Sequence, residues 1–399
     1  MERDPDLTVK KARIGVALAF ATQGGVFISL TTRLPEISKR WDLSELGLSG
    51  VLLMMVLLAG FGSIVSEVLA KRVDSARLLR SGLGGIALAV PLIVLAPDFW
   101  VFIAGMAIYG TGLGVVDAST NMQAVAIEHQ YGRPILPSFH GAWTLGGVIG
   151  AGLTLLTAHL PFELTALIAV VPLLVLFGPF LRRVGMPANL DSVVVPWRPI
   201  MLVGLALVLF YMVDTAAFTW GPTYLDTVFE TPSSLVALAT FPYLLASGTM
   251  RWAGDYLVGR FGPTLVLQVG SIVAAASLGI IVFAPTWQIA VVGFTILGTG
   301  VAVIAPLSFS AAARIAGANA DLDQDTRRAM VDAVIARFNQ FNYAGALLGS
   351  VLIGVIGSGN LRIGFAVPMV LVLGIIPLAR IFALGAFTDS DESNPSPVA

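Results

Sequence analysis

The chain has 399 residues, of which 56% are hydrophobic and only 12% are charged, and its mean hydropathy is +0.87. Soluble domains carry about 25% charged residues, so this composition excludes an ordinary water-soluble protein. The formal net charge of −1 gives no reason to expect a nucleic-acid partner, and the absence of cysteine excludes disulfides and thiolate metal sites.

Apolar runs of 18 or more residues recur along the chain, and each is long enough to cross the hydrocarbon core of a bilayer. The sequence therefore predicts an all-α integral membrane protein with about twelve transmembrane helices. The first run is too long for a signal-peptide core and is expected to remain as the first span. The predicted spans are residues 13–34, 46–70, 78–97, 100–124, 137–160, 163–182, 199–222, 234–256, 264–284, 287–313, 332–357 and 361–385.

Most Lys and Arg residues fall in loops that share one side of this arrangement. The positive-inside rule places that side, with both termini, in the cytoplasm. The predicted organisation is an N-terminal six-helix bundle (1–182), a cytoplasmic linker (183–198), a C-terminal six-helix bundle (199–387) and a disordered cytoplasmic tail (388–399).

The two halves repeat short patterns at matching places. Glu67 precedes Arg72 by five positions after span two, and Asp255 precedes Arg260 by five positions after span eight. Gly-Thr-Gly begins at residue 110 in span four and again at 298 in span ten, 188 positions later. The repeat predicts two pseudo-symmetric bundles, and parallel repeats of this kind place a substrate cavity between them near the midplane.

With these features the chain resembles the major facilitator superfamily over almost its full length. Gly254-Asp255-x-Leu257-x-x-Arg260-Phe261-Gly262 matches that family's loop motif, and the first-half copy has Asp74 in place of the closing glycine. The resemblance implies a cytoplasmic latch between the bundles, in which an acid faces a helix N-terminus. The latch candidates are Glu67, Arg72, Glu128, Arg133, Asp255 and Arg260.

A narrower resemblance is to the fucose-permease-like branch and its uncharacterised bacterial relatives. It lies in three motifs: Arg33-Leu34-Pro35, Asp117-x-x-x-Asn121 and His140-Gly141-x-Trp143. That branch includes proton-coupled sugar importers, and the resemblance implies a bacterial inner (plasma) membrane.

Three ionisable residues inside predicted spans are candidates for proton coupling, because such groups are costly in a bilayer and are usually functional or paired. They are Asp117, Asp214 and His140. A desolvated carboxylate can exchange protons near neutral pH, which favours a functional role for Asp214. Asp117 could equally be a structural carboxylate, and His140 could relay protons or bond Glu128 or a loop carbonyl.

Other polar and aromatic residues in the spans are candidates for lining a substrate cavity, since amides offer donors and acceptors together. Arg337 has the alternative of pairing with Asp332 or with an acid on another helix. The cavity candidates are Gln23, Asn121, Trp143, Tyr211, Arg337, Asn339 and Asn342.

The leading interpretation is a monomeric secondary transporter, driven by protons, that moves a small polar organic solute through the bilayer by alternating access. A proton-driven exporter of drugs or amphipathic compounds is the first alternative, and a receptor or scaffold that transports nothing is the second. No Walker motif or other enzyme signature occurs in the sequence, so neither catalysis nor a cofactor or metal is expected.

Overall fold

The computed structural model describes residues 6–70, 72–131, 135–182, 195–318, 327, 330–331, 334–335 and 337–383. Within these residues the chain forms helices and short turns, without a strand. The helices are α1 (Leu7–Thr31), α2 (Leu34–Arg40), α3 (Glu45–Leu69), α4 (Ser75–Val94), α5 (Phe99–Tyr131), α6 (Leu136–Thr157), α7 (Val170–Val175), α8 (Trp197–Phe229), α9 (Phe241–Phe283), α10 (Trp287–Val301), α11 (Ile304–Ala316), α12 (Gln340–Ile356), α13 (Leu361–Leu371) and α14 (Ile375–Leu378). Short 3₁₀ segments cover Phe162–Ala169, Val236–Ala239, Val372–Gly374 and Ala379–Ala383.

The prediction of an all-α protein with about twelve spans is confirmed. Among the described residues, nine helical segments are long and apolar enough to cross a bilayer, and two of them, Trp287–Ala316 and Leu361–Ala383, join consecutive helices. Two shorter apolar stretches, Phe162–Val175 and Gln340–Ile356, correspond to predicted spans six and eleven. Helix α9 is broken by a kink and covers most of predicted spans eight and nine. The boundary predicted between spans three and four is also observed, where α4 ends and α5 begins.

The kink in α9 lies at Gly262, the closing glycine of the loop motif. Its φ of 76° and ψ of 157° fall in a region that residues with a Cβ rarely adopt. Pro263 follows, and a proline disfavours helical backbone in the residue before it. Glycine and proline together therefore end one span and begin the next.

The first-half copy of the motif makes the same connection in a different way. Asp74 stands where the second half has Gly262, and its φ of −57° needs no glycine. Its carboxylate accepts a hydrogen bond of 2.9 Å from the backbone N–H of Ala76 and so caps α4. The departure from the motif at residue 74 thus replaces a glycine turn with a helix cap.

The two halves show the same close helix packing at matching glycines. A Cβ at Gly110 would overlap the backbone of Met55, and a Cβ at Gly298 would overlap the backbone of Tyr243. Both residues of the second contact lie 188 positions after those of the first, as predicted from the repeat. A further two contacts show the same offset: Gly112 against Gly82, and Gly300 against Gly270.

Helices α1 to α7 pack mainly on one another, as do helices α8 to α14. We refer to these two groups as the first half and the second half. The halves meet where α3 packs on α12 and α6 packs on α9, with smaller contacts of α1 and α2 with α8. The domain boundaries themselves stay a prediction, because most of the linker (183–194) and the tail from 384 lie outside the described residues.

Candidate functional site

Asp117 on α5 lies at the contact between the halves and accepts three side-chain hydrogen bonds. Gln23 Nε2 on α1 donates to Oδ1 at 3.4 Å. From the second half, Asn339 Nδ2 and the Tyr343 hydroxyl donate to Oδ2 at 3.3 and 2.7 Å. The structure thus brings two predicted cavity residues, Gln23 and Asn339, to the predicted carboxylate of Asp117, and its third partner, Tyr343, was not among the cavity candidates.

All three donors to Asp117 are neutral, so their dipoles stabilise its charge without a cation among them. Glu67 on α3 lies near enough for its charge to act on the same carboxylate. Glu67 itself accepts a hydrogen bond of 3.2 Å from Gln340 Nε2 on α12. This flank of the contact between the halves is therefore acidic.

Asn121 does not reach the carboxylate of Asp117. Its Nδ2 donates to the backbone carbonyl of Asp117 at 2.9 Å, one turn earlier on the same helix. Asparagine often bonds neighbouring backbone in this way. Its amide oxygen remains the group that could face a solute.

Asp214 on α8 forms a second polar centre, and only 8% of its surface is exposed. The Tyr243 hydroxyl on α9 donates to its Oδ1 in a short hydrogen bond. Tyr211 lies one turn before Asp214 and close enough to interact electrostatically with both Asp214 and Asp117. The two carboxylates are therefore parts of one polar region, with Tyr211 near both.

Arg251 on α9 is the main residue of this region that the sequence analysis did not assign to the site. Its Nη1 donates to Thr144 Oγ1 on α6 at 2.7 Å, and its Nε donates to the backbone carbonyl of Ala302 at 3.3 Å. The guanidinium also interacts electrostatically with Asp214 and His140. A charged residue within an apolar span indicates a functional or paired group, so the sequence could have marked Arg251 as a candidate. The sequence does not show which helices face it.

His140 and Trp143 on α6 contact the second half through aromatic rings. The His140 ring lies 6.4 Å from the ring of Phe309 on α11 and is exposed. The Trp143 ring lies 6.2 Å from the ring of Phe218 on α8. Glu128 accepts hydrogen bonds from the backbone N–H groups of Ile135 and Leu136, so the proposed bond between His140 and Glu128 stays a prediction.

The other two cavity candidates lie at the start of span eleven. Asn342 is half-buried on α12. Arg337 is exposed, and its guanidinium stacks 5.6 Å from the ring centre of Trp197, where α8 begins. The predicted roles of Arg337 were cavity lining and pairing with an acid, and cation–π stacking on Trp197 is a third interaction.

The latch candidates have different surroundings. Glu128 Oε2 accepts hydrogen bonds of 2.7 Å from the backbone N–H groups of Ile135 and Leu136, which stabilises the start of α6. This is an acid at a helix N-terminus, but both partners belong to the first half. Arg260 Nη1 donates to the Tyr256 hydroxyl at 2.8 Å on its own helix.

Three latch candidates give less information. Arg72 is exposed. Arg133 and the side chain of Asp255 lie outside the described residues. The family's latch between the halves therefore stays a prediction for these positions.

On the side opposite the start of α1, the halves are joined by an ion pair. Lys39 Nζ on α2 lies 2.6 Å from Asp226 Oδ1 at the end of α8. Deeper in the protein, the rings of Phe27 and Phe218 lie 5.4 Å apart across the same contact. The halves are closed together on this side.

The Arg33 motif at the end of span one joins two parts of the first half. The Arg33 side chain is buried, with its Nη1 2.7 Å from Glu36 Oε1. Its Nη2 donates at 3.2 Å to both the backbone and the side-chain oxygen of Thr157, at the end of α6. Arg33 thus ties the end of α1 to the end of α6.

The polar region suits noncovalent recognition and charge movement between two helix bundles. It combines carboxylates, amides, phenols and one guanidinium, and these groups form bonds across the halves. No group of three potential metal ligands (His, Cys, Asp or Glu) occurs within the part of the chain that the structure describes.

Comparison with known sequences agrees with this geometry. The family model of the Major Facilitator Superfamily matches residues 3–133. An uncharacterised transporter from Sinorhizobium fredii is 28% identical over 370 residues, which cover 88% of this chain and 93% of the relative.

Solved structures share the fold along nearly the whole chain. The nucleoside transporter NupG aligns with a TM-score of 0.70 at 12% identity, over 93% of this chain and 98% of its own. The superfamily transporter FucP, in its outward conformation, aligns with a TM-score of 0.60 at 18% identity, over 94% and 99%. The narrower kinship with the fucose-permease-like branch stays a prediction. Two packed halves, a repeated glycine pattern and these matches lead to one conclusion: the chain is a multi-pass membrane protein with the fold of the major facilitator superfamily, and it is similar in sequence to transporters of that superfamily.

Proposed function

We propose that this chain is a proton-coupled secondary transporter that moves a small polar organic solute across a bacterial inner membrane by alternating access. The proposal rests on one observation: the carboxylate of Asp117 in the first half accepts hydrogen bonds from Asn339 and Tyr343 in the second half. Both termini are cytoplasmic in this proposal, and the segment 183–198 links two bundles that move relative to each other.

Protonation of Asp117 would weaken its bonds to the second half. An ionised carboxylate only accepts hydrogen bonds, whereas a protonated one is neutral and becomes a donor as well. Hydrogen bonds to a charged group are stronger than those between neutral groups, so neutralising Asp117 lowers the cost of separating it from Tyr343. A proton thereby favours the rearrangement of the bundles.

Asp214 would act as a second proton or solute site within the same polar region. Its bond with Tyr243 lies inside the second half, so its charge can change without breaking a contact between the halves. Arg251 lies near it and bonds across to Thr144. A proton on Asp214 would therefore change the electrostatic environment of Arg251.

The solute is proposed to be polar and hydroxylated. Gln23 and Asn339 supply amide groups to Asp117, and Asn121 lies one turn after it on the same helix. Asn342 is proposed to line the same cavity, since amides bond hydroxyl groups as donors and as acceptors. Two structures with this fold carry solutes of that chemistry by name, a nucleoside transporter and a fucose:proton symporter. At 12% and 16% identity they share the fold with this chain, and the solute class is proposed from the amide groups of the site.

The first experiment identifies the solute. Purified protein is heated with members of a panel of sugars, nucleosides, amino acids and drugs, since a ligand that binds only the folded state raises the melting temperature. Stabilisation by a hydroxylated solute supports the proposal, whereas stabilisation by amphipathic drugs alone would favour an exporter.

The second experiment tests coupling in proteoliposomes with the solute so identified. Asp117→Asn is expected to abolish accumulation under a proton gradient while exchange of solute across the membrane survives. Asp6→Asn, a change at an exposed acid at the start of α1, serves as the matched control and is expected to accumulate solute normally. Accumulation by Asp117→Asn at the control rate would refute the coupling role.

A further inference from the structure

A groove of about 450 Å³ opens on the outer surface of the first half, between α3, α4 and α5. This volume is within the range of about 300–1,000 Å³ that is typical of small-molecule sites. Large apolar side chains such as Phe61, Ile64 and Leu88 are exposed on the same helices, which indicates a surface that faces lipid. The lining includes Leu58, Ser81, Gly82, Gly85, Ala107 and Thr111.

The groove is open because its α4 wall lacks side chains. A Cβ built on Gly85 would have no atom nearer than the Cα of Gly112, at 3.8 Å. A Cβ on neighbouring Gly82 would instead press on Val116 at 2.8 Å, so that glycine serves helix packing. Gly85 is therefore the position at which a larger side chain would fill the groove without disturbing the helices.

An exposed arginine lies just below the groove. Arg77 precedes Ser81 by one helical turn on α4, about 6 Å along the axis, and therefore shares its face. It is two residues from the start of this span, which is the depth of the lipid headgroups. No side chain among the described residues forms an ion pair or hydrogen bond with the Arg77 guanidinium.

We propose that this groove is a binding site for an anionic phospholipid. An acyl chain lies in the groove between α3, α4 and α5, and the headgroup phosphate pairs with Arg77. The groove lies within the span, at the depth of the acyl chains, and Arg77 lies at the end of the span, at the depth of the headgroup phosphates. Charge complementarity favours this occupant over an apolar helix of a second copy, because the lipid phosphate supplies an anion beside the apolar chain that fills the groove.

The test measures lipid binding to the purified, delipidated full chain by native mass spectrometry. A basic residue near an anionic surface contributes about 1 kcal/mol, which is a preference of about 5-fold. The wild type is thus expected to bind phosphatidylglycerol about 5-fold more tightly than phosphatidylcholine. Arg77→Gln should equalise the two lipids, and Arg77→Lys should retain the preference.

The groove has its own variant and controls. Gly85→Leu fills the groove and should weaken the binding of both lipids. Gly60→Leu, at a helical glycine of α3 with open space around it, and Arg198→Gln, at an exposed arginine of the second half, should leave both affinities unchanged.

Three results would overturn the proposal. The first is a preference for phosphatidylglycerol that survives in Arg77→Gln or is lost equally in Arg198→Gln. The second is unchanged lipid binding by Gly85→Leu. The third is a dimer in the wild type that becomes a monomer in Gly85→Leu, which would assign the groove to a second copy of the chain.

Discussion

Replacing Tyr343 with phenylalanine removes the shortest hydrogen bond that Asp117 receives from the second half. That bond measures 2.7 Å, whereas the bonds from Gln23 and Asn339 are longer, at 3.4 and 3.3 Å. A hydrogen bond to a charged group contributes about 1.5–3 kcal/mol net. Since about 1.36 kcal/mol is a factor of ten, Tyr343→Phe should shift the equilibrium away from the described conformation by about 10- to 150-fold.

The shift can be measured directly, because the chain contains no cysteine. Single cysteines at Gln130 on α5 and Ser310 on α11 would carry spin labels on the two halves. Both positions are exposed and lie toward the side of the membrane where α1 begins. Distances between the labels should move from one dominant population toward longer separations in Tyr343→Phe.

Tyr224→Phe is the matched control for this experiment. The Tyr224 hydroxyl donates to the backbone carbonyl of Ile281 at 2.6 Å, which is a contact inside the second half. Its loss should lower thermal stability without changing the distances between the halves. The reasoning fails if both variants keep the wild-type distances, or if both change them equally.

Two further predictions concern local features of the fold. Gly262→Ala should destabilise the protein by about 1–3 kcal/mol in thermal unfolding, because alanine is strained at a φ of 76°. Gly259→Ala, three residues earlier in ordinary helix with open space around it, should be neutral or stabilising, and equal losses in both variants would contradict the assignment of strain. Lys39→Asp and Asp226→Lys should each lower the melting temperature slightly, since an exposed ion pair contributes about 0.2–1 kcal/mol. The double reversal should restore stability at low salt, and a double variant as unstable as the single ones would show that the pair does not join the halves.

The fold could be predicted from the sequence because the bilayer restricts the possibilities. A run of about 20 apolar residues crosses the bilayer as an α-helix, because a helix satisfies all its backbone hydrogen bonds internally. The number of spans then follows from the number of such runs. The repeat was also readable, since Gly110 and Gly298 occupy matching positions and pack against matching backbone. The kink at Gly262 follows from a glycine before a proline at the end of a span.

The site was only partly predictable, because the sequence shows the face of a helix but not its neighbour. Asp117 was identified as a costly residue within a span, yet its partner Tyr343 is 226 positions away. Asn121 shares a face with Asp117, but its side-chain conformation directs the amide nitrogen to its own helix. The sequence shows Arg251 as a charge within an apolar stretch, and only the packing of α9 on α6 shows that it bonds Thr144.

The bonds between the halves also differ in charge from one flank to the other. Where α3 and α5 meet the chain around α12, Glu67 and Asp117 provide negative charge. Where α6 meets α9, Arg251 provides positive charge. Separating the halves on either flank leaves a charged group without its partner in a poorly solvated place, which costs free energy unless a replacement arrives. Water, a proton or a polar solute can supply that replacement, so a rearrangement of the halves is coupled to what enters between them. The opposite charges on the two flanks further imply that a solute with a dipole would bind there in one orientation.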